Sequence, residues 1–393
     1  DNLVIEDITF DDCYYGAREK NVVDALVQNT TYLINTGAPS YAVYITNSTG
    51  TTVRANTFDQ APIWVTDATY GTIGGPDPSD GNVLTNIIYN GIWYGQQFAS
   101  GTSSEKGLIQ NNTVSGAAEG GIVVWNWAGE TADSIRILDN TVTGAAGGSD
   151  NHGGISIRQG DFTNMLISGN SSTNNADDQP GLLISASVAT SMEGSDNVFA
   201  DNTGNGITLY SVTRGDLKIN GNKITGNSSG LAMTLGTTAT LDASGNYWGS
   251  TSPANVAGLV TGNVDYTPWL GGGTDNAPGF SGDFSELWVD DDSPQAGTSN
   301  RIQEGVDLVT ASTVNIAAGT YDATIDIDTR TDINLVGADK TTTIIKPSTT
   351  LPWGFSPYGT SRQAALRVYN STGIDVSNLT FDYDLVKGNS IFG

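Results

Sequence analysis

The sequence predicts an all-β fold, a parallel β-helix in which short coils stack as a solenoid. The first observation behind this prediction is a repeated unit that ends in asparagine and carries an apolar residue three positions earlier. The second is a short strand between these units that begins with glycine. Successive asparagines are 30, 26, 28, 30, 32, 20 and 24 residues apart, and periods of this length are typical of solenoids.

The asparagine units run through residues 51–246. Their asparagines are Asn56, Asn86, Asn112, Asn140, Asn170, Asn202, Asn222 and Asn246. Asparagine tolerates the left-handed backbone conformation that tight turns require, and stacked copies can bond to one another along the solenoid axis. We therefore expect this ladder to be structural.

The glycine-led strands allow the outward positions of successive coils to be aligned. The residues four places after the glycines are Gly95, Trp125, Arg158, Ser185, Tyr210 and Thr234. Alternation along a strand predicts that Trp125 and Trp127 project outward while Ile122 and Val124 point inward. Trp93 is expected one coil earlier.

The domain prediction follows the chain in order. Residues 1–270 form a β-helix body that ends in an aromatic- and proline-rich cap, and residues 271–286 form a Gly/Pro-rich linker. Residues 287–393 then look like the start of a second β-helix. This segment begins with a short amphipathic helix near residues 299–309, because Ile302, Val306 and Val309 share one helical face. Strands are expected to follow the helix.

Composition limits the partners. The chain has 393 residues, with 16 basic against 42 acidic side chains and a net charge of −26. Such a charge argues against nucleic acid and anionic membrane surfaces, and no apolar run is long enough to span a bilayer. The single cysteine, Cys13, excludes an internal disulfide framework.

An extracellular or cell-envelope location is predicted from the acidic composition, the few lysines and the glycosylation sequons. The seven candidate attachment sites are Asn29, Asn47, Asn111, Asn170, Asn227, Asn370 and Asn378. A chain rich in Asn, Ser and Thr also produces such triplets by chance, so occupancy stays open.

A family resemblance rests on three motifs. These are Trp288-Val-Asp-Asp-Asp292 with the helix and Val314-Asn-Ile-Ala-Ala-Gly-Thr-Tyr321 after it, the repeated coils, and the closing Asn246-Tyr-Trp-Gly249. Together they resemble the pectate-lyase-like superfamily of right-handed parallel β-helix proteins, and most of all its NosD-type surface proteins. The resemblance implies the fold, but the superfamily includes enzymes, adhesins and envelope proteins.

The order of the caps differs from that resemblance, because the closing motif precedes the opening one. In addition, Leu3–Phe10 matches Ile374–Phe381 at a constant offset of 371 residues. The first hypothesis is therefore a non-enzymatic structural protein of the cell envelope. It would assemble head to tail with copies of itself or form part of a tandem array, with glycan contacts as an additional role.

The alternative is a polysaccharide-active enzyme or a carbohydrate-binding module on the outer face. Trp93, Trp125, Trp127, Arg158 and Tyr210 are the candidate sugar-binding residues, since aromatic rings supply large contact surfaces with a polar handle. His152, Arg158 and Asp161 are candidates for acid–base chemistry, and Asp177 and Asp178 for paired carboxylates. A turn role is the simpler interpretation of His152 and of the two adjacent aspartates.

The resemblance also implies which catalytic motifs to look for. Asn-Thr-Asp, Gly-His-Gly and Asp-Pro-His-Asp, which mark related hydrolases and epimerases, are absent, and the scarcity of basic residues argues against a calcium-dependent lyase. No cofactor is predicted. Asp290, Asp291 and Asp292 offer oxygen ligands for Ca²⁺, although capping or solvating the start of the helix explains them as well.

Overall fold

The computed structural model describes residues 3–33, 41–96, 104–148, 152–234, 239–310, 312–347, 354–355 and 362–382. It divides the chain into two compact units. Unit 1 contains residues 1–239, 259–263 and 274–281, and unit 2 contains residues 240–258, 264–273 and 282–393.

Unit 1 is a parallel β-solenoid with three sheets, named here A, B and C. The strands of sheet A are Val4–Glu6, Leu26–Gln28, Thr52–Arg54, Thr72–Gly74, Leu108–Gln110, Arg136–Leu138, Met165–Ser168, Val188–Ser195 and Thr213–Asn220, with Thr131–Asp133 and Asp161–Thr163 beside them. Those of sheet B are Thr9–Asp11, Thr31–Leu33, Thr57–Asp59, Val83–Thr85, Thr113–Ser115, Thr141–Thr143, Ser171–Thr173, Val198–Ala200 and Lys223–Thr225. Those of sheet C are Tyr15–Lys20, Tyr41–Thr46, Ile63–Thr66, Ile92–Gly95, Ile122–Trp125, Ile155–Arg158, Leu182–Ser185, Asn205–Tyr210, Ser229–Thr234 and Val260–Thr261.

The core of unit 1 consists of the inward residue of each short strand. Ile73, Ile109 and Ile137 are paired in register on sheet A and are at most 1% exposed. Strands this short gain little stability alone, so the axial stacking of their apolar side chains supplies the core. A 3₁₀ turn at Pro78–Asp80 also belongs to the unit. So do the paired strands Gly273–Asp275 and Phe280–Gly282, except for their outermost residues Gly273 and Gly282.

The asparagine ladder is present and contains five of the eight predicted members, whereas Asn86 and Asn202 lie elsewhere and the Asn246 amide donates to the Ala243 carbonyl. The side chains bond in the order Asn56, Asn82, Asn112, Asn140, Asn170, Asn197 and Asn222, with amide-to-carbonyl distances of 2.8–2.9 Å. Asn86 instead lies on an exposed turn and donates to Asp59. Asn202 belongs to a second, shorter ladder with Asn175 and Asn227.

The left-handed conformation also lies at a different residue than predicted. Residues just before the ladder asparagines, such as Asn111 and Asp139, have φ values of 58° and 53°. Asn112 and Asn140 point inward instead, where each side-chain amide also donates to a main-chain carbonyl of the preceding coil. The ladder thus satisfies buried backbone groups at a turn.

Among the described residues, unit 2 contains the helix α2 (Arg301–Leu308) and the helix α1 (Pro253–Leu259) except for its last residue, which belongs to unit 1. One sheet has the order Trp269–Leu270, Glu286–Val289, Thr313–Ile316, Asn334–Gly337 and Asp375–Ser377, and only its first pair is antiparallel. The other strands are Leu241–Asp242 with Val264–Asp265, Gly319–Tyr321 with Thr343–Ile345 and Thr380–Phe381, Ile325–Asp328 with Leu366–Tyr369, and Gly354–Phe355 with Arg362–Gln363.

The predicted amphipathic helix is confirmed. Asn300 caps α2 through a bond from the Gln303 main-chain N–H. Ile302 and Val306 on the helix, and Val309 at its end, are at most 1% exposed. The buried face of α2 therefore covers the apolar interior of unit 2.

Candidate functional site

A row of aromatic side chains runs along the outer face of sheet C. Trp64 and Trp93 are paired across neighbouring coils. Two residues further along the strands, a second row is paired in register across successive coils. It consists of Gly95, Trp125, Arg158, Ser185, Tyr210 and Thr234. The predicted alignment of these residues is confirmed. Ile122 and Val124 are fully buried beneath them.

The rings of this row stack on each other. Trp64 and Trp93 are 4.5 Å apart with an angle of 3° between their planes, and Trp93 and Trp125 are 5.1 Å apart at 39°. The guanidinium carbon of Arg158 lies 5.2 Å from the Trp125 ring centre, within range of a cation–π contact. Because Trp93 has a ring on either side, its faces are covered and it is only 7% exposed.

The predicted binding residues therefore differ in accessibility. Trp125 and Arg158 are half-buried, whereas Trp127 is 38% and Tyr210 48% exposed. The main-chain N–H of Trp127 donates to the Gln96 side chain at 3.3 Å. A ligand on this face would reach the edges of the stacked rings and the exposed Trp127 and Tyr210 rings.

The row extends further than the sequence suggested. Tyr41 contacts Trp64 edge to face at 5.4 Å and stacks on Tyr15 at 5.7 Å, and burial raises the pKa of Tyr41. Arg18 lies over the Tyr15 ring at 5.2 Å. The sequence contains a signal for this extension in Pro62-Ile-Trp64. Trp64 occupies the same position as Trp93 in Gly91-Ile-Trp93 one coil later, but proline replaces the leading glycine.

His152 contacts Arg158, as the coil alignment predicted. The guanidinium Nη1 of Arg158 is 3.2 Å from His152 Nδ1, and the imidazole meets Trp93 edge to face at 6.4 Å. His152 is fully buried. A substrate at the surface of this structure would not touch its ring nitrogens.

The candidate carboxylates lie elsewhere on the coils. Asp161 accepts a hydrogen bond from Thr190 at 2.7 Å on the outer side of sheet A. Asp177 and Asp178 are exposed turn residues, both with positive φ. The Asp178 main-chain N–H donates to Thr203. This is the arrangement of a solvated turn.

Several polar atoms on the sheet C face are buried without a hydrogen-bond partner. Within the described part of the chain they include the indole Nε1 atoms of Trp64, Trp93 and Trp125, the Thr66 hydroxyl, and both amide atoms of Asn126. Asn126 is fully buried. Gly160 packs closely against it, because a Cβ atom at position 160 would lie only 2.6 Å from the Asn126 Cβ. Unpaired buried donors cost free energy and call for water or a ligand. Sequence reasoning missed Asn126.

The seven sequon asparagines are placed in different environments. Asn29, Asn47, Asn370 and Asn378 are exposed. Asn111 and Asn227 are half-buried and donate to main-chain carbonyls. Asn170 is fully buried in the ladder, where its amide donates to Asn197, so a glycan there would require this turn to open.

Neither described helix is long and apolar enough to cross a membrane. The helices have 7 and 8 residues.

Comparison with known proteins gives one family match. The model of the right-handed β-helix region matches residues 1–142 and 131–246. A search of curated proteins finds no match.

Several solved structures are similar. The A-module of the mannuronan C-5 epimerase AlgE6 from Azotobacter vinelandii has 11% identity and a TM-score of 0.40, covering 92% of this chain and 79% of its own. A mutant of the periplasmic alginate epimerase AlgG has 13% identity and a TM-score of 0.38, covering 96% and 76%. The catalytic domain of a GH87 α-1,3-glucanase in complex with nigerose has 14% identity and a TM-score of 0.30, covering 100% and 63%. None of these values is high enough to carry a statement about the site.

Proposed function

Because this chain belongs to the right-handed β-helix family, its outward side chains recur in rows along the axis, and we propose that one such row binds a linear polysaccharide. The row is the outer face of sheet C at Trp125, Trp127, Arg158 and Tyr210. A polymer lying along the axis would meet one outward side chain of this row at each coil, since neighbouring strands are about 4.8 Å apart.

The observation that carries the proposal is the set of accessible aromatic rings on this face. Trp127 is 38% and Tyr210 48% exposed, and the half-buried Trp125 and Arg158 precede Tyr210 in the same register of sheet C. Aromatic rings supply a large contact surface for a sugar ring. The indole N–H groups and the Asn126 amide are buried, so a glycan would contact the ring surfaces instead.

The chemistry proposed is binding without turnover. His152 is buried against Arg158, and Asp177 and Asp178 lie in an exposed turn. A general acid or base must come within hydrogen-bond reach of the proton it transfers. An enzyme acting on the same polymer remains the alternative, and time-dependent shortening or modification of the bound glycan would favour it.

Alanine at Trp125 or at Arg158 is expected to weaken glycan binding at least tenfold, or about 1.4 kcal/mol. Trp125→Ala removes one ring of the stack, and Arg158→Ala removes the cation that lies over it. The wild type and both variants would be tested on a broad glycan array, with affinities of the hits measured by calorimetry.

Tyr70→Ala is the matched control, because Tyr70 is a 55% exposed ring that contacts Lys106 and not this row. Its affinity should equal that of the wild type. The proposal fails if the wild type binds no glycan on the array, or if Trp125→Ala and Arg158→Ala bind as tightly as Tyr70→Ala.

A second candidate is an extracellular structural role with end-to-end assembly. Among the described residues, the strands Val4–Glu6, Thr9–Asp11 and Tyr15–Lys20 each have a neighbour on one side only. Leu3, Val4 and Ile8 beside them are 40%, 51% and 42% exposed. Unpaired strand edges of this kind accept further strands. A further coil, from this polypeptide or from a second copy, would pair with them.

Assembly through this edge predicts a molar mass that rises with concentration in light scattering. Ile8→Lys should lower the association, since edge lysines oppose pairing, whereas Val23→Lys alters a 47% exposed valine one coil further on and should have less effect. A constant monomer mass at all concentrations, or equal association of Ile8→Lys and wild type, would exclude this candidate.

A further inference from the structure

Three consecutive aspartates in unit 2 bring their carboxylates together. Asp290, Asp291 and Asp292 directly follow the strand Glu286–Val289, and one carboxylate oxygen of each lies within 4.8 Å of the others. The three side chains range from buried to exposed in that order. The cluster therefore has one side in the protein and one side open to solvent.

Asp290 provides the observation that separates this cluster from an ordinary acidic turn. Its side chain is only 3% exposed. One oxygen, Oδ1, accepts from the Asp292 main-chain N–H at 2.9 Å, whereas Oδ2 is buried and has no hydrogen-bond partner among the described residues. A buried carboxylate oxygen without a partner is strongly disfavoured unless a cation or donor meets it. Burial, and then the charges of Asp292 and Asp291, raise the pKa of Asp290.

In the described part of the chain, no basic side chain forms an ion pair with these carboxylates. Arg301 donates its Nη2 to the Ser293 carbonyl. Asp291 accepts from the Thr320 main-chain N–H at 2.8 Å, which orders its side chain without neutralising it.

We propose that Asp290, Asp291 and Asp292 bind a hard divalent cation, Ca²⁺ by preference. Ca²⁺ takes six to eight oxygen ligands in flexible geometry, and three carboxylates with completing waters suit it better than the small, rigidly octahedral Mg²⁺. The bound ion would meet the unpaired Asp290 Oδ2 and offset the mutual repulsion of the three charges. With three protein carboxylates and an open side, we expect a Kd of about 10⁻⁴ to 10⁻³ M, as in extracellular modules.

Calcium titration by calorimetry, with Tb³⁺ luminescence sensitised through the nearby Trp288, tests the site. The full chain should bind one Ca²⁺ at this position with saturation. Asp291→Asn and Asp292→Asn should each weaken that binding about tenfold or more, because each removes a charged ligand while keeping its shape. Asp290→Asn should do the same, and the other two variants preserve the test if this buried change prevents folding.

Asp375→Asn is the control, since Asp375 is an exposed aspartate of the same unit and its loss changes the net charge equally. It should bind Ca²⁺ and sensitise Tb³⁺ like the wild type. Absence of saturable binding up to about 10 mM, ten times the weakest affinity expected of such modules, would overturn the proposal. Equal losses in Asp375→Asn and Asp291→Asn would also overturn it, because they would show only counterion attraction to an acidic chain.

Discussion

Asn140→Ala is expected to lower the free energy of unfolding by about 3–5 kcal/mol, since it removes four buried hydrogen bonds and leaves their partners unpaired. Asn140 Nδ2 donates to the Ile109 carbonyl at 2.8 Å and to Asn170 Oδ1 at 2.9 Å. Its Oδ1 accepts from the main-chain and side-chain N–H groups of Asn112. The loss is large because the side chain is fully buried in the middle of the ladder.

Urea unfolding followed by circular dichroism would measure the change. Asn140→Asp tests the hydrogen bonds separately from side-chain volume. It keeps the shape of the side chain but replaces the donating amide by a carboxylate that faces Asn170 Oδ1. Asn86→Gly serves as control, because Asn86 has a φ of 53° that glycine readily adopts, and its side chain makes an exposed bond to Asp59. If Asn140→Ala and Asn86→Gly unfold at the same urea concentration, the ladder does not stabilise the solenoid.

The errors in the predicted ladder have physical causes that can be located in particular coils. The search required an apolar residue three positions before each asparagine. Asn82 does not satisfy it, because the 3₁₀ turn Pro78–Asp80 lies between Ile73 and Asn82. Asn197 does not satisfy it, because Gly194 occupies the inward position that Ile167 and Ile219 fill in the neighbouring coils. Because of this inserted turn and this glycine, the pattern of an apolar residue followed by asparagine fits Asn86 and Asn202 instead of the two ladder asparagines.

The outer face was predicted better in register than in accessibility. Alternation along strands places Trp125 beside Arg158 regardless of loop lengths, because register follows the buried apolar positions. Alternation does not reveal that Trp64 stacks on Trp93 and covers it. Nor does it find Asn126, which lies just beyond its strand and has both amide atoms unpaired. These features depend on contacts between coils, and the sequence pattern of a single strand does not specify such contacts.

The inward position that accommodates apolar residues elsewhere is occupied by a carboxylate in the first coil of sheet C. In the strand Tyr15–Lys20, Ala17 and Glu19 point inward and are 2% and 3% exposed. Both carboxylate oxygens of Glu19 are buried without a hydrogen-bond partner among the described residues. Burial raises the pKa of Glu19 from 4.5 to about 7. The fold therefore holds this side chain protonated at mildly acidic pH.

Glu19→Gln is expected to stabilise unit 1 at pH 8 by about 2–3 kcal/mol and to leave its stability near pH 4 almost unchanged. The sign follows from the raised pKa. Between pH 4.5 and 7 the folded chain keeps a proton on Glu19 that the unfolded chain has lost, so the wild type loses stability as the pH rises through this window. Above this pH window Glu19 is ionised in the folded chain as well, so the fold buries its negative charge.

Urea midpoints of wild type and Glu19→Gln, measured from pH 4 to pH 8, would give the two profiles. Glu193→Gln removes the same charge from an exposed position of unit 1 and should follow the wild-type profile. Because glutamine is close to protonated glutamate in shape, the difference between the profiles isolates the ionisation of Glu19. Parallel profiles for wild type and Glu19→Gln would mean that water or local opening hydrates this carboxylate, and that the inward position of the first coil tolerates a charge.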